Sequence, residues 1–455
     1  MRSSFLKWAL VGLCCASFAE AQQKGPLALV GGMLLDGYEA PPIHHAAIII
    51  EGNRIVRVGP ASEVAVPPNA TVIDTKGRVM LPGLIELHAH LMILGHANYD
   101  RWWPWMAKNG VERVMEVSAR QLLMSGVTSA ADLGAPLKEI LRTRDRINRG
   151  ELPGPRMFVS GPWLTRRPSR SEIVYGITIG SPQEAATATE GLIKAGVDLI
   201  KAWGGLTVDD RKAIVEVAHR HNLKVHAHTY TLDEMRDSIA SGIDVLSHGG
   251  LGAGQPPPPP ELVRQVVERG IPVVMSAVHR VGIYPLTAGF PERLEDPQLK
   301  EDFPPDIHAE VQASLKDWRH APYFVTTDRG LLFWEQAMRQ WIDGGAVIGM
   351  GTDSGTPMNF HTEALWREIK AHVDFGMSPL RAISAATRVG AKILGKESQL
   401  GTIEVGKLAD IIVVRGNPLT DINALGNVEV VVKDGVVHKG PSAARAAQTP
   451  SARQD

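Results

Sequence analysis

Residues 81–90 read Leu-Pro-Gly-Leu-Ile-Glu-Leu-His-Ala-His, an apolar run that is marked by Gly83 and ends in His88 and His90. Such a run is typical of a buried strand. Alternate residues of a strand project to the same face, so the two imidazoles would lie side by side. Two neutral imidazoles can hold one divalent metal ion. Because histidine pairs at this spacing are common, the rest of the chain has to distinguish a metal site from chance.

Short apolar strands alternate with amphipathic helices through the middle of the chain, two of these helices being Val208–His221 and Pro260–Arg269. The eight predicted strands are Gly83–His90, Val127–Asp132, Arg156–Gly161, Val197–Trp203, Leu223–His228, Val245–His248, Ile271–Ala277 and Ala346–Asp353. This alternation predicts an α/β fold, a (β/α)8 TIM barrel over residues 81–401. A doubly wound open sheet is the alternative, but no Gly-x-Gly-x-x-Gly turn follows the first strand.

The two ends of the chain contain short β-like segments separated by turn residues. Ala46–Ile50 and Ala409–Val414 are examples from either end. We therefore expect residues 22–80 and 402–440 to form one small β-sandwich domain. Residues 441–455 are rich in Ala, Ser, Pro and Gln, which predicts a disordered tail.

Residues 1–21 are predicted to be a secretory signal peptide. A basic start precedes the apolar run Trp8–Phe18, and a small-x-small cleavage pattern ends at Ala21. A membrane anchor is the alternative, but the run is short for a bilayer. The two cysteines, Cys14 and Cys15, lie within this peptide, so the mature chain would have no disulfide and no thiolate ligand. We expect a periplasmic or secreted protein that has no membrane association after cleavage.

The composition is that of a soluble globular enzyme. Hydrophobic residues make up 44% of the chain and charged residues 21%, and the formal net charge is −1. The chain therefore lacks the basic field that nucleic-acid binding requires, and we expect no nucleic-acid partner.

One connection is unusually long. The insertion from Ser276 to Ala346 is rich in Pro, acidic and aromatic residues, and we expect a helix from Asp306 to Trp318. Long connections after barrel strands lie over the active-site face, so a lid is one interpretation of the insertion. Surface decoration and an oligomer contact are the alternatives.

Ligand-type side chains stand at the carboxyl ends of five predicted strands. They are His88 and His90 on strand one, Lys201 on strand four, His226 and His228 on strand five, His248 on strand six and Asp353 on strand eight. Each alone has an ordinary structural explanation, such as a hydrogen-bonded core histidine or a capping aspartate. Five strands that carry such residues at the same end predict one shared site at the mouth of the barrel.

In this combination the chain resembles the metal-dependent amidohydrolase superfamily. More narrowly, it resembles the branch that contains prolidase-like dipeptidases, ochratoxin-type amidases and imidazolonepropionases. The resemblance extends to the run Ser378–Thr387 and to the exit pattern Leu400–Val414, and it covers nearly the whole mature chain. It implies a homo-oligomeric enzyme.

The resemblance also implies a two-metal site, in which a carboxylated Lys201 bridges two divalent ions. His88, His90 and Asp353 would hold the buried ion, and His228 and His248 the exposed one. His226 is then expected to support a ligand from behind. Zinc is the expected metal, although manganese, cobalt and iron accept the same ligands.

The expected chemistry is hydrolysis of a carbon–nitrogen bond. A water between two dications is hydroxide near neutral pH and can attack a substrate carbonyl. Asp353 would act as general base and then as general acid toward the leaving nitrogen. The expected substrate is a small-molecule amide, such as an Xaa-Pro-like dipeptide or an N-acyl amino acid, including ochratoxin-type amides. A cyclic amide hydrolase, a one-metal deaminase and a catalytically silent metal-binding barrel are the alternatives; one-metal relatives generally lack the lysine.

Several residues near the mouth are candidates for substrate binding. Tyr230 follows His228, and its phenol would hydrogen-bond an oxyanion or a carboxylate. His279 and Arg280 follow strand seven and suit a terminal carboxylate. His361 follows Asp353 and is expected to reach the site. The aromatic run 101–105 would wall an apolar pocket or form a subunit contact.

Overall fold

The computed structural model describes residues 25–168, 173–321 and 324–441. The strands at the N-terminal side are β1 (Leu27–Val30), β2 (Met33–Leu34), β3 (Ala46–Glu51), β4 (Arg54–Pro60), β5 (Thr71–Asp74) and β6 (Arg78–Pro82). The middle strands are β7 (Leu84–Ala89), β8 (Val127–Asp132), β9 (Arg156–Val159), β10 (Trp163–Thr165), β11 (Gly176–Thr178), β12 (Ile200–Ala202), β13 (Val225–His228), β14 (Val245–Ser247), β15 (Val273–Val274) and β16 (Ile348–Gly349). The last strands are β17 (Ile411–Arg415), β18 (Val428–Lys433) and β19 (Val436–Lys439).

Helices follow most of the middle strands. The α-helices are α1 (Tyr99–Asn109), α2 (Val111–Met124), α3 (Leu137–Asn148), α4 (Pro182–Ala195), α5 (Val208–Arg220), α6 (Leu232–Ser241), α7 (Pro260–Glu268), α8 (Tyr284–Gly289), α9 (Pro305–Leu315), α10 (Leu331–Asp343), α11 (Ala364–Asp374), α12 (Pro379–Ala385) and α13 (Arg388–Ile393). Single-turn helices lie at His279–Ile283, Pro291–Glu295, Pro297–Lys300, Trp318–His320, Phe324–Arg329 and Ile422–Gly426.

Local sequence explains where the helices next to the candidate site begin. Helix α5 starts at Thr207, whose side chain accepts from the backbone N–H of Asp210 while the Asp210 carboxylate accepts from that of Thr207. Thr231 and Glu234 form the same reciprocal arrangement at the start of α6. Each capping box satisfies backbone donors that the first helical turn leaves unpaired. These hydrogen bonds also fix the ends of the loops that lead from β12 to α5 and from β13 to α6.

The middle strands form two parallel sheets. Their orders are β7-β8-β9 and β11-β10-β12-β13-β14-β15-β16. Backbone hydrogen bonds link them on both sides: Leu87 N donates to Met350 O at 2.9 Å, and Asp198 N donates to Val159 O at 2.9 Å. The predicted parallel α/β architecture is confirmed. Closure of the two sheets into an eight-stranded barrel stays a prediction. The hydrogen bonds between the sheets favour it.

Each of the eight predicted strands overlaps an observed strand, but most observed strands are shorter. The clearest case is the seventh, predicted as Ile271–Ala277 and observed as Val273–Val274. Strands β10 and β11 were not predicted, because segments of three residues are too short to show an alternating pattern. The helix expected over Asp306–Trp318 is observed as α9 and ends earlier, at Leu315. A lid function of the insertion stays a prediction.

Both ends of the chain contribute to two further, mostly antiparallel sheets. Their orders are β4-β3-β1-β5 and β19-β18-β17-β6-β2, so the second sheet combines N-terminal and C-terminal strands. Residues of both sheets, such as Ile48 and Ile411, belong to one apolar cluster. This arrangement favours the predicted sandwich, whose domain boundaries stay predictions. The predicted signal peptide and residues 442–455 of the predicted tail lie outside the described residues. Among the described helices, none has the length and apolarity needed to cross a bilayer.

Candidate metal centre

The carboxyl ends of the parallel strands open into one cavity of about 210 Å³. Its wall contains all six side chains that the sequence analysis assigned to metal ions, namely His88, His90, Lys201, His228, His248 and Asp353. Each of these residues is buried. The structure thus brings together residues from distant parts of the chain; that they ligate metal stays a prediction.

The rings of His88 and His90 face Asp353. Nε2 of His90 lies 3.1 Å and Nε2 of His88 lies 3.6 Å from Oδ1 of Asp353. Nδ1 of His90 lies 3.3 Å from the carbonyl oxygen of Gly134, which can only accept, so Nδ1 carries a proton. In the neutral ring, Nε2 then carries a lone pair, which faces a carboxylate oxygen of Asp353. Two acceptors at this distance need a proton or a metal ion between them.

The donor set fits a divalent metal ion better than a proton. One ligand atom from each of His88, His90 and Asp353 lies within 4.8 Å of the others. A single proton serves one donor–acceptor pair, whereas a metal ion uses all three atoms. Two imidazole nitrogens and a carboxylate oxygen suit zinc and its neighbours.

Lys201 reaches the cavity from β12. Its Nζ donates a hydrogen bond to Oγ of Ser247 at 3.2 Å. Burial lowers the pKa of Lys201 to about 7, so much of the side chain is neutral amine near neutral pH. The neutral amine is the form that reacts with carbon dioxide, which makes carboxylation chemically feasible at this position.

His228 and His248 form the second half of the cavity floor. Their ring centroids lie 4.6 Å apart, and the His248 ring lies 4.8 Å from that of His88. Burial lowers the pKa of both imidazoles well below its ordinary value, so both are neutral, which is the metal-binding form. Nδ1 of His248 is buried and has no hydrogen-bond partner among the described residues.

Backbone geometry at the strand ends is strained. His248, Ser276 and Asp353 have φ angles of 73°, 51° and 56°, in the left-handed region. Each such residue costs about 1–3 kcal/mol and clusters of them are typical of functional sites. Oγ of Ser276 lies 3.2 Å from Nδ1 of His88, so this strained position also holds a ring of the site. Although burial alone would raise the pKa of Asp353, His88 and His90 hold it well below the usual range.

Buried carboxylates behind the cavity were missed by the sequence analysis. Glu86 accepts hydrogen bonds from the backbone N–H of His88 at 2.7 Å and of Thr352 at 2.9 Å. It therefore ties the strand of the two histidines to the residue before Asp353. Burial raises the pKa of Glu86 to about 8. An acidic residue inside the apolar run 81–90 was the signal that could have revealed it.

Among the residues predicted to bind substrate, Tyr230 lines the cavity. Its ring centroid lies 4.1 Å from that of His228 and 4.4 Å from that of His248. Arg280 is instead buried behind it: its Cζ lies 4.4 Å from the Tyr230 ring centroid, and Nη1 donates to the carbonyl of Leu251. Arg280 thus braces Tyr230 rather than facing the cavity.

His226, predicted to support a metal ligand, and His279 and His361, predicted to bind substrate, are also buried and do not line the cavity. His226 lies opposite Lys201 in the register of β12 and β13. His279 begins the single helical turn after β15, and its ring packs 5.6 Å from that of Tyr284. Burial lowers the pKa of His361 to about 3, and a hydrogen bond with the backbone of His90 opposes that shift. The turn after β15 draws His279 into the interior, which strand periodicity does not predict.

Aromatic side chains form one wall of the cavity. They are Tyr99, Trp103, Trp163, Tyr175, Trp203 and Tyr230. Trp163 stacks on Trp203 with centroids 5.1 Å apart, and Trp203 lies 5.3 Å from the His228 ring. Of these six, the sequence analysis identified Trp103 as a possible wall residue and Tyr230 as a polar contact. Of the others, Tyr99 begins α1, Trp163 lies on the short strand β10, and Tyr175 and Trp203 lie in loops.

Residues 79–299 and 335–437 match the model of the Amidohydrolase family. The chain belongs to this family. The resemblance inferred from the motifs is therefore confirmed, and this Amidohydrolase family member is a hydrolase of carbon–nitrogen bonds. The unmatched stretch between the two parts falls within the long insertion Ser276–Ala346. Proteins of the family are typically metal-dependent, in agreement with the cluster of His88, His90 and Asp353.

Individual relatives span nearly the whole of this family member. An ochratoxinase of Aspergillus niger is 25% identical, over 91% of this chain and 86% of the relative. An imidazolonepropionase of Streptomyces coelicolor is 24% identical, over 87% of this chain and 89% of the relative. The crystal structure of a Xaa-Pro dipeptidase with bound methionine is 25% identical and superimposes with a TM-score of 0.71, over 91% of this chain and all of that chain.

Proposed function

We propose that the protein is a two-metal amidohydrolase that cleaves the amide bond of a small molecule. The substrate is a dipeptide of the Xaa-Pro type or an N-acyl amino acid, including ochratoxin-type amides. The observation that carries this proposal is the convergence of four histidines, Lys201 and Asp353 on one cavity. The names of the ochratoxinase and the Xaa-Pro dipeptidase to which the chain is similar support this substrate class.

His88, His90 and Asp353 would hold one divalent ion, and His228 and His248 the other. Carboxylated Lys201 would contribute to both, because a carbamate offers two anionic oxygens where the ammonium offers none. When bound, the ions, with zinc expected, lower the pKa of a water molecule and polarise a carbonyl group.

The protein's own residues position the substrate and move the proton. Asp353 carries its charge at neutral pH, so it can accept a proton from the attacking water and deliver it to the leaving nitrogen. Tyr230, held by Arg280, presents its phenol beside His228, where it can donate to the substrate's carbonyl or carboxylate oxygen. The aromatic wall provides an apolar surface for the rest of the substrate.

The proposal extends to architecture and location. We infer a closed (β/α)8 barrel joined to a small β-sandwich, export through the segment 1–21, and a periplasmic or secreted, homo-oligomeric enzyme. Small-molecule amides are the proposed partners, and nucleic acid is not.

Hydrolysis of a cyclic amide is the second candidate, because the similar imidazolonepropionase aligns over most of both chains. A panel of Xaa-Pro dipeptides, N-acyl amino acids, ochratoxin-like amides and lactams separates the two. Release of an amine and a carboxylic acid supports the proposal, whereas ring opening supports the alternative. Ammonia release indicates a deaminase, and no turnover with metal bound indicates a silent barrel.

Metal analysis and one lysine variant provide the decisive test. We expect close to two ions per chain in the purified protein, and complete loss of activity on chelation with recovery on adding zinc. Lys201→Ala should lose metal and activity and regain part of both with a short carboxylic acid. Lys433→Ala, which removes a buried lysine of β18, is the matched control and should keep both. A single ion per chain, or full activity of Lys201→Ala, would overturn the two-metal proposal.

A further inference from the structure

One exposed arginine, Arg167, stands beside the cavity and has no partner among the residues that the structure describes. Cζ of Arg167 lies 5.4 Å from the ring centroid of Trp203, which lines the cavity and contacts His228. No hydrogen bond or ion pair joins its guanidinium to another of the described residues. A guanidinium is always charged and presents a planar fork of donors that matches a carboxylate. An arginine left unpaired at a cavity mouth is therefore available to an anionic ligand.

The backbone opposite Arg167 leaves room for its side chain. A Cβ atom added at Gly204 would lie 3.1 Å from Cζ of Arg167, and one at Gly205 would lie 3.4 Å from its Cγ. Gly205 also has a φ of 81°, which disfavours other residues. The two glycines after Trp203 thus form a gap that accommodates the guanidinium along the indole.

Two other described arginines near the cavity are already engaged. Arg280 is buried between the rings of Tyr230 and Trp334 and donates to Leu251. Arg166 donates to both carboxylate oxygens of Asp210. Among the described residues that line the cavity, Asp353 alone is acidic, so these residues repel an anionic substrate group little on its way to Arg167.

We propose that Arg167 binds the carboxylate carried by the leaving amine, and so makes the enzyme selective for amides of free amino acids over neutral amides. The inference rests on the proposed function. In it, the scissile carbonyl lies near His228, the side chain of the amino acid packs on Trp163 and Trp203, and the carboxylate pairs with the guanidinium. It assigns to Arg167 the terminal carboxylate that the sequence predicts for His279 and Arg280.

Two matched substrate pairs test this proposal. Phenylalanyl-proline is compared with phenylalanyl-pyrrolidine, and N-acetyl-phenylalanine with N-acetyl-phenethylamine, because the members of each pair differ only in the carboxylate. Wild-type kcat/KM should favour the acid, and Arg167→Gln should lower kcat/KM for the acid by about 10- to 100-fold, the range for a hydrogen bond to a charged group. It should leave the neutral member within about twofold and the metal content unchanged. Arg367→Gln is the control, since Arg367 also lies over an indole, that of Trp366, and neither residue lines the cavity.

Calorimetric binding of the same four compounds separates this inference from the proposed function. Hydrolysis without preference for the acid, or an equal loss for both members in Arg167→Gln, overturns the role of Arg167 and leaves the proposed function intact. If neither pair is hydrolysed but the acids bind and Arg167→Gln abolishes that binding, the role of Arg167 is supported and the proposed substrate class is wrong. If the acids neither bind nor react, both are wrong.

Discussion

The cavity at the carboxyl ends of the parallel strands and the apolar core shared by the antiparallel sheets are built on opposite principles. The shared core buries aliphatic residues such as Ile48, Ile411 and Val432. The cavity buries imidazoles, a lysine and a carboxylate, and three of its strand ends have left-handed backbone. Burial of apolar area stabilises a fold, whereas buried polar groups without full pairing cost free energy. The comparison indicates that stability and chemistry are assigned to different parts of this chain.

The largest effect should come from the carboxylate at the centre of the cavity. Asp353→Asn removes the proton acceptor and one of the proposed metal ligands, so kcat/KM should fall by about 10²–10⁴-fold or more. Circular dichroism should show an unchanged fold. Asp410→Asn changes a carboxylate at the start of β17 that pairs with Arg156, and it should lower thermal stability with little effect on kcat/KM. Equal activity losses in the two variants would contradict the separation of roles.

A substitution in the shared core should have the opposite effect, lowering stability but not activity. Ile411→Ala removes a fully buried side chain of β17, so the free energy of unfolding should decrease by about 2–5 kcal/mol. At a temperature where the variant is folded, its kcat/KM and metal content should match the wild type. Denaturant titration and metal analysis measure the two quantities on one preparation. A metal content that falls together with stability would show that the two regions are coupled.

The smallest effect concerns one histidine of the antiparallel sheets. Burial lowers the pKa of His438 from 6.5 to about 4. Between these values the unfolded chain binds a proton that the folded chain does not, so stability should decrease as the pH falls from about 6.5 to about 4. In His438→Gln this decrease should be smaller. The melting temperature measured against pH checks this expectation, and a His438→Gln curve identical to that of the wild type would remove His438 from this account.

The strands of the parallel sheets and the convergence of the candidate ligands were predictable because they depend on local patterns. Strand β8 was predicted with the bounds that the structure shows, since Val127–Asp132 is a continuous buried run. The carboxyl ends of parallel strands face the same side of the sheet, so strand direction alone predicts that His88, Lys201 and Asp353 lie close together. The roles of these residues stay predictions.

Other parts of the site were unpredictable from local patterns. Arg280 follows a strand in sequence, but a helical turn directs it inward between Tyr230 and Trp334. Trp163 and Tyr175 come from short strands or loops, and they become a wall because β10 and β11 pair beside β12. Glu86 links the strand of His88 to Thr352 only because the fold brings Thr352, which is far along the chain, beside it.

The sequence by itself determined the α/β class, the family, and the residue types that gather at one end of the strands, because hydrophobic periodicity and strand direction are local properties. Only the tertiary structure decided which arginine beside the cavity has no partner among the described residues, which aromatic rings enclose the cavity and which carboxylates bind backbone amides. These depend on side-chain directions in loops and on pairs of residues distant along the chain, and no local pattern specifies them.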